Sequence, residues 1–572
     1  MEDKRTLLAF LIIGLILLLL PYYQDFMGLT PEEEPSLAPP KEESPSSLPS
    51  EENFPPAPSS APSITSSAPS SVSPGENLST GDLSTPTTAG EGESFLPRQI
   101  IVQTPLQQLT FSTEGGVLTS CQLLQYQRVD GRQVELIPSG GRGLALSLLH
   151  VDDTIDLSRI EFVPDQESIT LGEGDQRTLR LSARLGEGKS LEKVLTFHSD
   201  QYGFDLDLLY RGFDEDTEAN ITWVNGIATT ERDPDIDLRE TRVFSFFNED
   251  LTEIRVDQGD EEETWGPYRG DLQWVGVRNK YFLSAVAPRG EGRFRVLLRG
   301  KGTNSGPLPD YSYEVGARLS SAGTWQSLVY LGPLNYDNLI RYEVDLEQAI
   351  DFGYPVVRQI TKLLLIIFKA TYSVIPNYGW IIVLFALVIK IIVYPLTHKT
   401  YESTAKMQEL QPKIAALREK FKNDNQRLSK ETMKLYKEEG VNPLGGCLPL
   451  VLQMPIFFSL YNLFGRTIEL RQSPFILWIT DLSLPDEILV AGFGLHILPL
   501  LMAVSMLVQQ KMTMKDPKQA AMVYIMPVVM IFIFWDMTSG LVLYWTIFNL
   551  LTILQQVLIN HFKKQSAVVV QS

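Results

Sequence analysis

The run YGWIIVLFALVIKIIVYPLT, residues 378–397, decides how this chain is read. It is almost wholly apolar and about as long as the roughly 20 residues a helix needs to cross a bilayer. One charge interrupts it, Lys390. A lysine near the membrane centre costs roughly 2.5 to 3.5 kcal/mol on insertion scales, so an ionisable group there is read first as functional. The plain alternative is a lysine that snorkels its ammonium to the headgroups. Lys390 precedes Pro395 by roughly 8 Å of helix rise, and polar side chains stand at similar depth on other apolar runs.

Those other runs set the class. Thr6 to Tyr23 lacks a small-residue cleavage site and reads as a retained anchor. Gly446 to Phe464, Phe493 to Gln510, Ala521 to Met537 and Leu541 to Asn560 complete a set of six spans with Tyr378 to Thr397. The expectation is a multidomain membrane protein, an α-helical six-span bundle carrying a cytoplasmic helical hairpin and an external all-β domain.

Charge gives the orientation. The chain carries −20 overall but +8 from Gly353 onward, which leaves −28 for residues 1–352. Basic residues gather in 398–445, in the link holding Lys511, Lys515 and Lys518, and at Lys563 and Lys564. By the positive-inside rule these segments and both termini are cytoplasmic, and the acidic segment is outside. Cys121 and Cys447, the two cysteines, then lie on opposite sides and cannot pair. No metal-type spacing, HExxH, nucleotide loop or nucleophile elbow occurs, so neither a cofactor nor an enzyme activity is expected.

Between anchor and bundle the composition changes twice. After the anchor (1–28), residues 29–96 are rich in Pro, Ser, Thr and Glu and read as an extended linker. Residues 97–345 alternate apolar with polar, as in RTLRLSARL (177–185), YGFDLDLLY (202–210) and RFRVLLR (293–299), the pattern of strands with one buried face. A large antiparallel β-sandwich follows, self-contained and more suited to binding or spacing than to catalysis. In 346–376, a greasy helix from Tyr354 to Ile375 carries Arg358, Lys362 and Lys369 within about 40° of one another, which suits an interfacial helix with its cations at the headgroups.

The core is expected at 377–564, with the hairpin at 398–445 and a short tail at 565–572. Met407, Leu410, Ile414, Leu417 and Phe421 repeat at coiled-coil spacing, 423–425 offers a turn, and Leu428, Thr432 and Leu435 return. Lys413, Arg418 and Lys420 on its other faces, with Lys515 on the later link, are the candidate contacts for an anionic cytoplasmic partner such as ribosomal RNA or acidic headgroups. A merely solvated mixed-charge face is the alternative.

Gln453, Asn549 and Gln556, with Gln555 beside it, bring amides to the depth of Lys390. Interhelical hydrogen bonding accounts for any one of them; together with a charge they suggest a wet cavity open to the cytosol. Eight of the thirteen methionines fall between Met502 and Met537, with Met522, Met526 and Met530 on one helix face. Such side chains fill cores, and they also repack against varied apolar guests.

Five motifs make the resemblance specific: YPLT (394–397), AKMQELQPKI (405–414), VNPLGGCLPLVLQMPIF (441–457), IELRQSPFILWI (468–479) and SGLVLYW (539–545). Over about the last 220 residues the chain closely resembles the YidC membrane-protein insertases of bacterial inner membranes, and the outer domain resembles the β-supersandwich of the long form. The resemblance implies insertion and folding of nascent membrane proteins, alone or beside the Sec translocon, without nucleotide hydrolysis. It also implies that Lys390 is the charged groove residue, with Gln453, Asn549 and Gln556 around it. Clients would slide along Met454, Phe458, Met526 and Met530, with membrane lipids alongside and no small-molecule substrate. The family usually has arginine where Lys390 stands, which keeps the charge and loses the planar fork. The tail lacks a long basic extension, so ribosome contact would rest on the hairpin and the Lys511–Lys518 link. A small-solute or proton-coupled transporter using Lys390 is the other class considered, and the absence of an internal repeat weighs against it. An intramembrane protease through His496 has no supporting motif.

Overall fold

The structure, a computed structural model, describes residues 96–571 apart from 151–152, 187, 258–260, 291, 303–308, 423, 442–447, 491–492 and 514–519. The anchor, nearly all of the expected linker, Cys447 and Lys515 therefore lie outside the described residues.

Alternation becomes strands where it was expected. In Gln176–Gly186, Leu179, Leu181 and Ala183 are buried between exposed polar neighbours, and Gly203–Arg211 and Phe294–Lys301 follow the same rule. Among the described residues these segments join one sheet of eleven strands and one of nine. Pairing is antiparallel except where Gln99–Gln103 runs parallel to Ser168–Thr170. The two sheets share a core. Phe111 from the larger sheet meets Phe197 and Phe204 from the smaller at centroid distances of 6.2 and 6.4 Å, both edge to face, an arrangement aromatic quadrupoles favour. Lys193, in the same interior, donates to the carbonyls of Gly115, Gly116 and Leu144 at 3.1, 2.7 and 2.8 Å.

Among the described residues seven longer helices follow: α1 Pro355–Tyr372, α2 Tyr378–Lys420, α3 Asn425–Glu438, α4 Leu448–Arg466, α5 Ile497–Thr513, α6 Ala520–Phe534 and α7 Ser539–Gln571. Proline opens α1, where a missing N–H does no harm. Its Thr361, Leu364, Leu365 and Phe368 are buried, and the Phe368 ring lies 5.4 Å from Phe385 of α2 and 5.8 Å from Phe464 of α4. Its three cations, which the sequence reading expects at the headgroups, have protein partners. Lys362 donates to the Tyr336 hydroxyl at 3.3 Å, Lys369 pairs with Asp337 and, at 3.5 Å, Glu469, and Arg358 reaches Gln348. The chain entering α1 and the segment after α4 bring these polar groups against the basic stripe, which stays part-exposed.

Asn377 caps α2 by accepting from the Trp380 N–H at 3.2 Å. The helix then runs for 43 residues through Pro395 and Pro412, so the apolar run and the first arm of the hairpin are one rod. Asp424 caps the return helix α3 by accepting from the Arg427 N–H. Leu410, Ile414 and Val441 are buried at the seam, with Met407, Leu435 and Tyr436 packed against them.

One span boundary needs correction. Phe493–Leu495 is not the start of a helix but a short strand paired with Ile488–Val490, and α5 begins only at Ile497. The run AGFGLHILPL is apolar without a period that separates strand from helix. Among the described residues two helices are long and apolar enough to cross a membrane, Tyr378–Pro395 and Ser539–His561, and Ile497–Met512 and Val523–Phe534 are shorter apolar helices. Their outward faces are greasy: Leu387, Ile391, Val504, Ile525, Phe532 and Leu554 are all exposed. Contiguous apolar surface of that kind calls for lipid or a partner.

Candidate functional site: a covered ammonium and the spine helix

The α2 cap places Lys390 roughly 20 Å along the helix from Asn377, at 1.5 Å per residue. There its side chain turns inward, 7% exposed. The ammonium donates to Thr552 Oγ1 at 2.7 Å and lies 4.6 Å from the centre of the Phe548 ring. Thr552 spends its own proton on the Phe548 carbonyl at 2.7 Å, so its oxygen is left to accept. Among the described residues no carboxylate pairs with Lys390. A threonine and a ring face are weak compensation for a cation, so the site holds an unneutralised positive charge.

Helix α7 is the common partner of the other candidates. Gln453 of α4 donates to the Tyr544 hydroxyl at 3.3 Å. Tyr544 stacks obliquely on Phe548, centroids 6.0 Å apart, which links Gln453 to Lys390 through two rings. Gln555 approaches Thr397 of α2 at 3.5 Å. Asn549 departs from the expected cluster: it donates to Ser505 of α5 at 3.3 Å, on another flank of α7. At 100° per residue, position 549 lies about 100° round the helix from 548 and about 60° from 552, so Asn549 stands on the flank of the Lys390 face where α5 packs. Gln556 is half-buried on α7 one turn beyond Thr552.

Met454, Phe458, Met526 and Met530 are all half-buried, and Met530 packs against the buried core. Phe457 joins the helices here: its ring lies 5.2 Å from Trp545 of α7 and 6.1 Å from Phe534 of α6. Met502, by contrast, is fully buried and serves as core filler. Lys413 pairs with Glu439 across the hairpin at 2.6 Å, and Lys420 lies 5.4 Å from the Phe421 ring. Those contacts are exposed, and an exposed pair contributes about 0 to 1 kcal/mol.

Thr552, Phe548, Tyr544 and Ser505 are partners that sequence reasoning missed. A threonine or tyrosine in an apolar run carries no distinguishing signal, although Tyr544 lies inside SGLVLYW. The connector after α4 was read only as the motif IELRQSPFILWI, without its contacts to the sandwich. Arg466 pairs with Asp351, Glu469 accepts from Asn335 at 3.0 Å, and Arg471 pairs with Glu231 of the sandwich at 2.8 Å. The last pair is deeply buried, side chains 4% and 2% exposed. Arg471 also donates to the Gln127 carbonyl at 2.9 Å, and Lys280 of the sandwich reaches the Ser483 carbonyl at 3.4 Å. Beside this joint, Asp237 accepts from the N–H groups of Thr230 and Glu231, and burial pushes its carboxyl up to about 6. The sandwich is thus joined to the membrane core by buried charge, not merely tethered.

Two family models match in tandem: the YidC periplasmic domain over residues 99–367 and the 60Kd inner membrane protein over residues 370–566. The membrane protein insertase YidC of Pelobacter propionicus is 33% identical over 568 residues, covering 98% of this chain and 99% of that protein. The one from Syntrophus aciditrophicus is 34% identical over 577 residues, covering 98% and 99%. Among solved structures, an active YidC insertase with its first transmembrane domain resolved is 20% identical, spans 80% of this chain and 92% of its own, and superposes at a TM-score of 0.35. With relatives a third identical along nearly their whole length, the chain belongs to the YidC membrane protein insertase family.

Proposed function

We propose that this chain inserts and folds integral membrane proteins by drawing a hydrophilic client segment toward Lys390 while the client's apolar helix leaves along Met454, Phe458, Met526 and Met530. The observation that carries the reading is a buried ammonium that, among the described residues, only Thr552 and the Phe548 ring compensate. An acidic or strongly polar segment supplies what that charge lacks, and a client carboxylate near a low-dielectric wall is attracted more strongly than in water. Half-buried methionines and Phe458 fit varied apolar helices without a fixed shape. Lys390 is covered in this conformation, so entry requires Phe548 and the Thr552 turn to give way.

The chain is an inner-membrane protein with a periplasmic domain, as its family is. The finer reading has six spans, both termini in the cytoplasm, the sandwich a supersandwich in the periplasm, and no enzymatic step. Gln453 and Gln556 help hydrate the opened groove, while Asn549 acts as an interhelical tie. Lys413, Arg418, Lys420 and Lys515 would meet a ribosome or anionic headgroups, and the Sec translocon would work beside the exposed faces of the spans. The small-solute transporter finds no support in the relatives. Photocrosslinking from positions 454 and 526 to a nascent membrane protein tests the client path. Crosslinks that follow the client's apolar helix are expected; none, together with solute flux in proteoliposomes, would overturn it.

A further inference from the structure

The loop Ser473–Ile479 carries two observations that the client path does not use. Leu477 is 83% exposed and Ile476 beside it 44%, two large apolar side chains at the tip of an otherwise pinned loop. Leu477 also adopts φ +57°, the left-handed region that a leucine rarely enters. Such a conformation persists only where the surroundings over-determine it. Here they do: the Phe475 N–H donates to the Ile479 carbonyl at 3.0 Å, and the Trp478 indole N–H donates to Asp486 at 2.9 Å. The fold spends strain and hydrogen bonds to hold an apolar tip outward.

The loop's position says what covers it. Asn377, the α2 cap, donates to the Pro474 carbonyl at 3.2 Å, and Phe475 meets Trp380 edge to face at 5.3 Å. Phe475 packs so closely on the first turn of α2 that a Cβ at Gly379 would clash with its ring. The tip is therefore level with the sandwich-side start of a membrane span. Trp380 and Tyr372, both exposed, mark that level as an aromatic belt of the kind found where lipid meets water, with Tyr372 stacked at 4.4 Å on the buried Tyr378. Below it the exposed apolar surface continues along α2 through Leu384, Leu387, Val388 and Ile391.

We propose that Ser473–Ile479 is a lipid anchor that sinks Ile476 and Leu477 into the sandwich-side leaflet, at the boundary of headgroups and acyl chains. The committed partner is phospholipid, because the tip continues a surface that only lipid or a passing client can cover. A wedge fixed to α2 at Gly379 and Phe475 and, through the same loop, to Arg471 would set the height of the sandwich over the membrane.

The test uses the full chain in phosphatidylcholine and phosphatidylglycerol vesicles, with Cys121→Ala, Cys447→Ser and a single NBD-labelled cysteine replacing Leu477. Bromine on the upper acyl chain should quench the probe strongly and aqueous iodide weakly, as for a group about 5–10 Å into the interface. A probe replacing Leu387 is the control for the span itself. Quenching at 387 with none at 477 overturns the anchor and leaves the span standing; no quenching at either position overturns both. Iodide access at 477 that is lost only on adding a client chain or a translocon assigns the tip to protein and overturns the lipid reading. Leu477→Gly, which suits the left-handed backbone, should keep the fold yet weaken bromolipid quenching of a probe at 476. Unchanged quenching there would also count against the anchor.

Discussion

Arg471 and Glu231 show what a buried charge does when it has a partner. Their 2.8 Å pair sits between sandwich and membrane core with almost no solvent, so removing one member leaves the other buried and unpaired. Such a loss costs about 3–5 kcal/mol, whereas replacing both by apolar side chains of similar size is often close to neutral. Glu231→Ala should therefore lower the unfolding temperature in detergent markedly, and Arg471→Met with Glu231→Leu should recover most of it. Equal effects of the single and double changes would contradict a specific pair. Lys193 makes a different case, because three carbonyls hold its ammonium inside the sandwich while burial pushes it down to about 7. The unfolded chain keeps that proton to about 10.5, so between those values it binds more protons than the folded chain, and stability rises with pH across the window. Lys193→Met should flatten that rise. It should also cost about 1–3 kcal/mol for each carbonyl left bare.

At the scale of elements, the hairpin is the clearest transfer from pattern to structure. Met407, Leu410 and Ile414 face Leu435 as their spacing requires, because a seam of that period leaves a helix one way to bury itself. Charge reversal at Lys413, Arg418 and Lys420 should leave that seam intact and weaken ribosome or anionic-vesicle binding. The salt dependence should become shallower as well. An unchanged slope in a sedimentation assay would reduce these residues to a solvated face. The strands were legible for a similar reason, since period-two alternation in 177–185 and 202–210 has no helical counterpart. Phe493–Leu495 was not, since an apolar run with glycines lacks a period to read. The site was legible in part. Lys390 stood out because it breaks hydropathy, but Thr552 does not, and Arg471 looks like any arginine in a loop until Glu231, 240 residues earlier in sequence, is brought to it. Asn549 turns toward Ser505, an azimuth that only the packing of α5 decides.

For the whole molecule, the joint at Arg471 changes what removing the sandwich should do. From sequence alone the domain reads as self-contained; in the structure its deletion strips Arg471 of partners but also opens it to water, where an arginine is stable. A chain lacking about residues 100–330 should therefore insert clients at a reduced rate and be less damaged than one carrying Glu231→Ala. Complete loss of insertion by a stably expressed deletion would refute the division of labour. The central claim, that Lys390 acts by charge, is tested most directly by inserting an acidic client into proteoliposomes bearing Lys390 variants. An ammonium and a carboxylate about 8 Å apart at an effective dielectric of 20 attract by about 2 kcal/mol, on the order of a 30-fold change in the equilibrium they control. Lys390→Arg should keep activity, Lys390→Ala should lose up to that factor, and Lys390→Glu should lose more, with the defect growing as acidic residues are added to the translocated segment. If Lys390→Glu matches the parent for the acidic client, the charge mechanism is wrong, whatever the family.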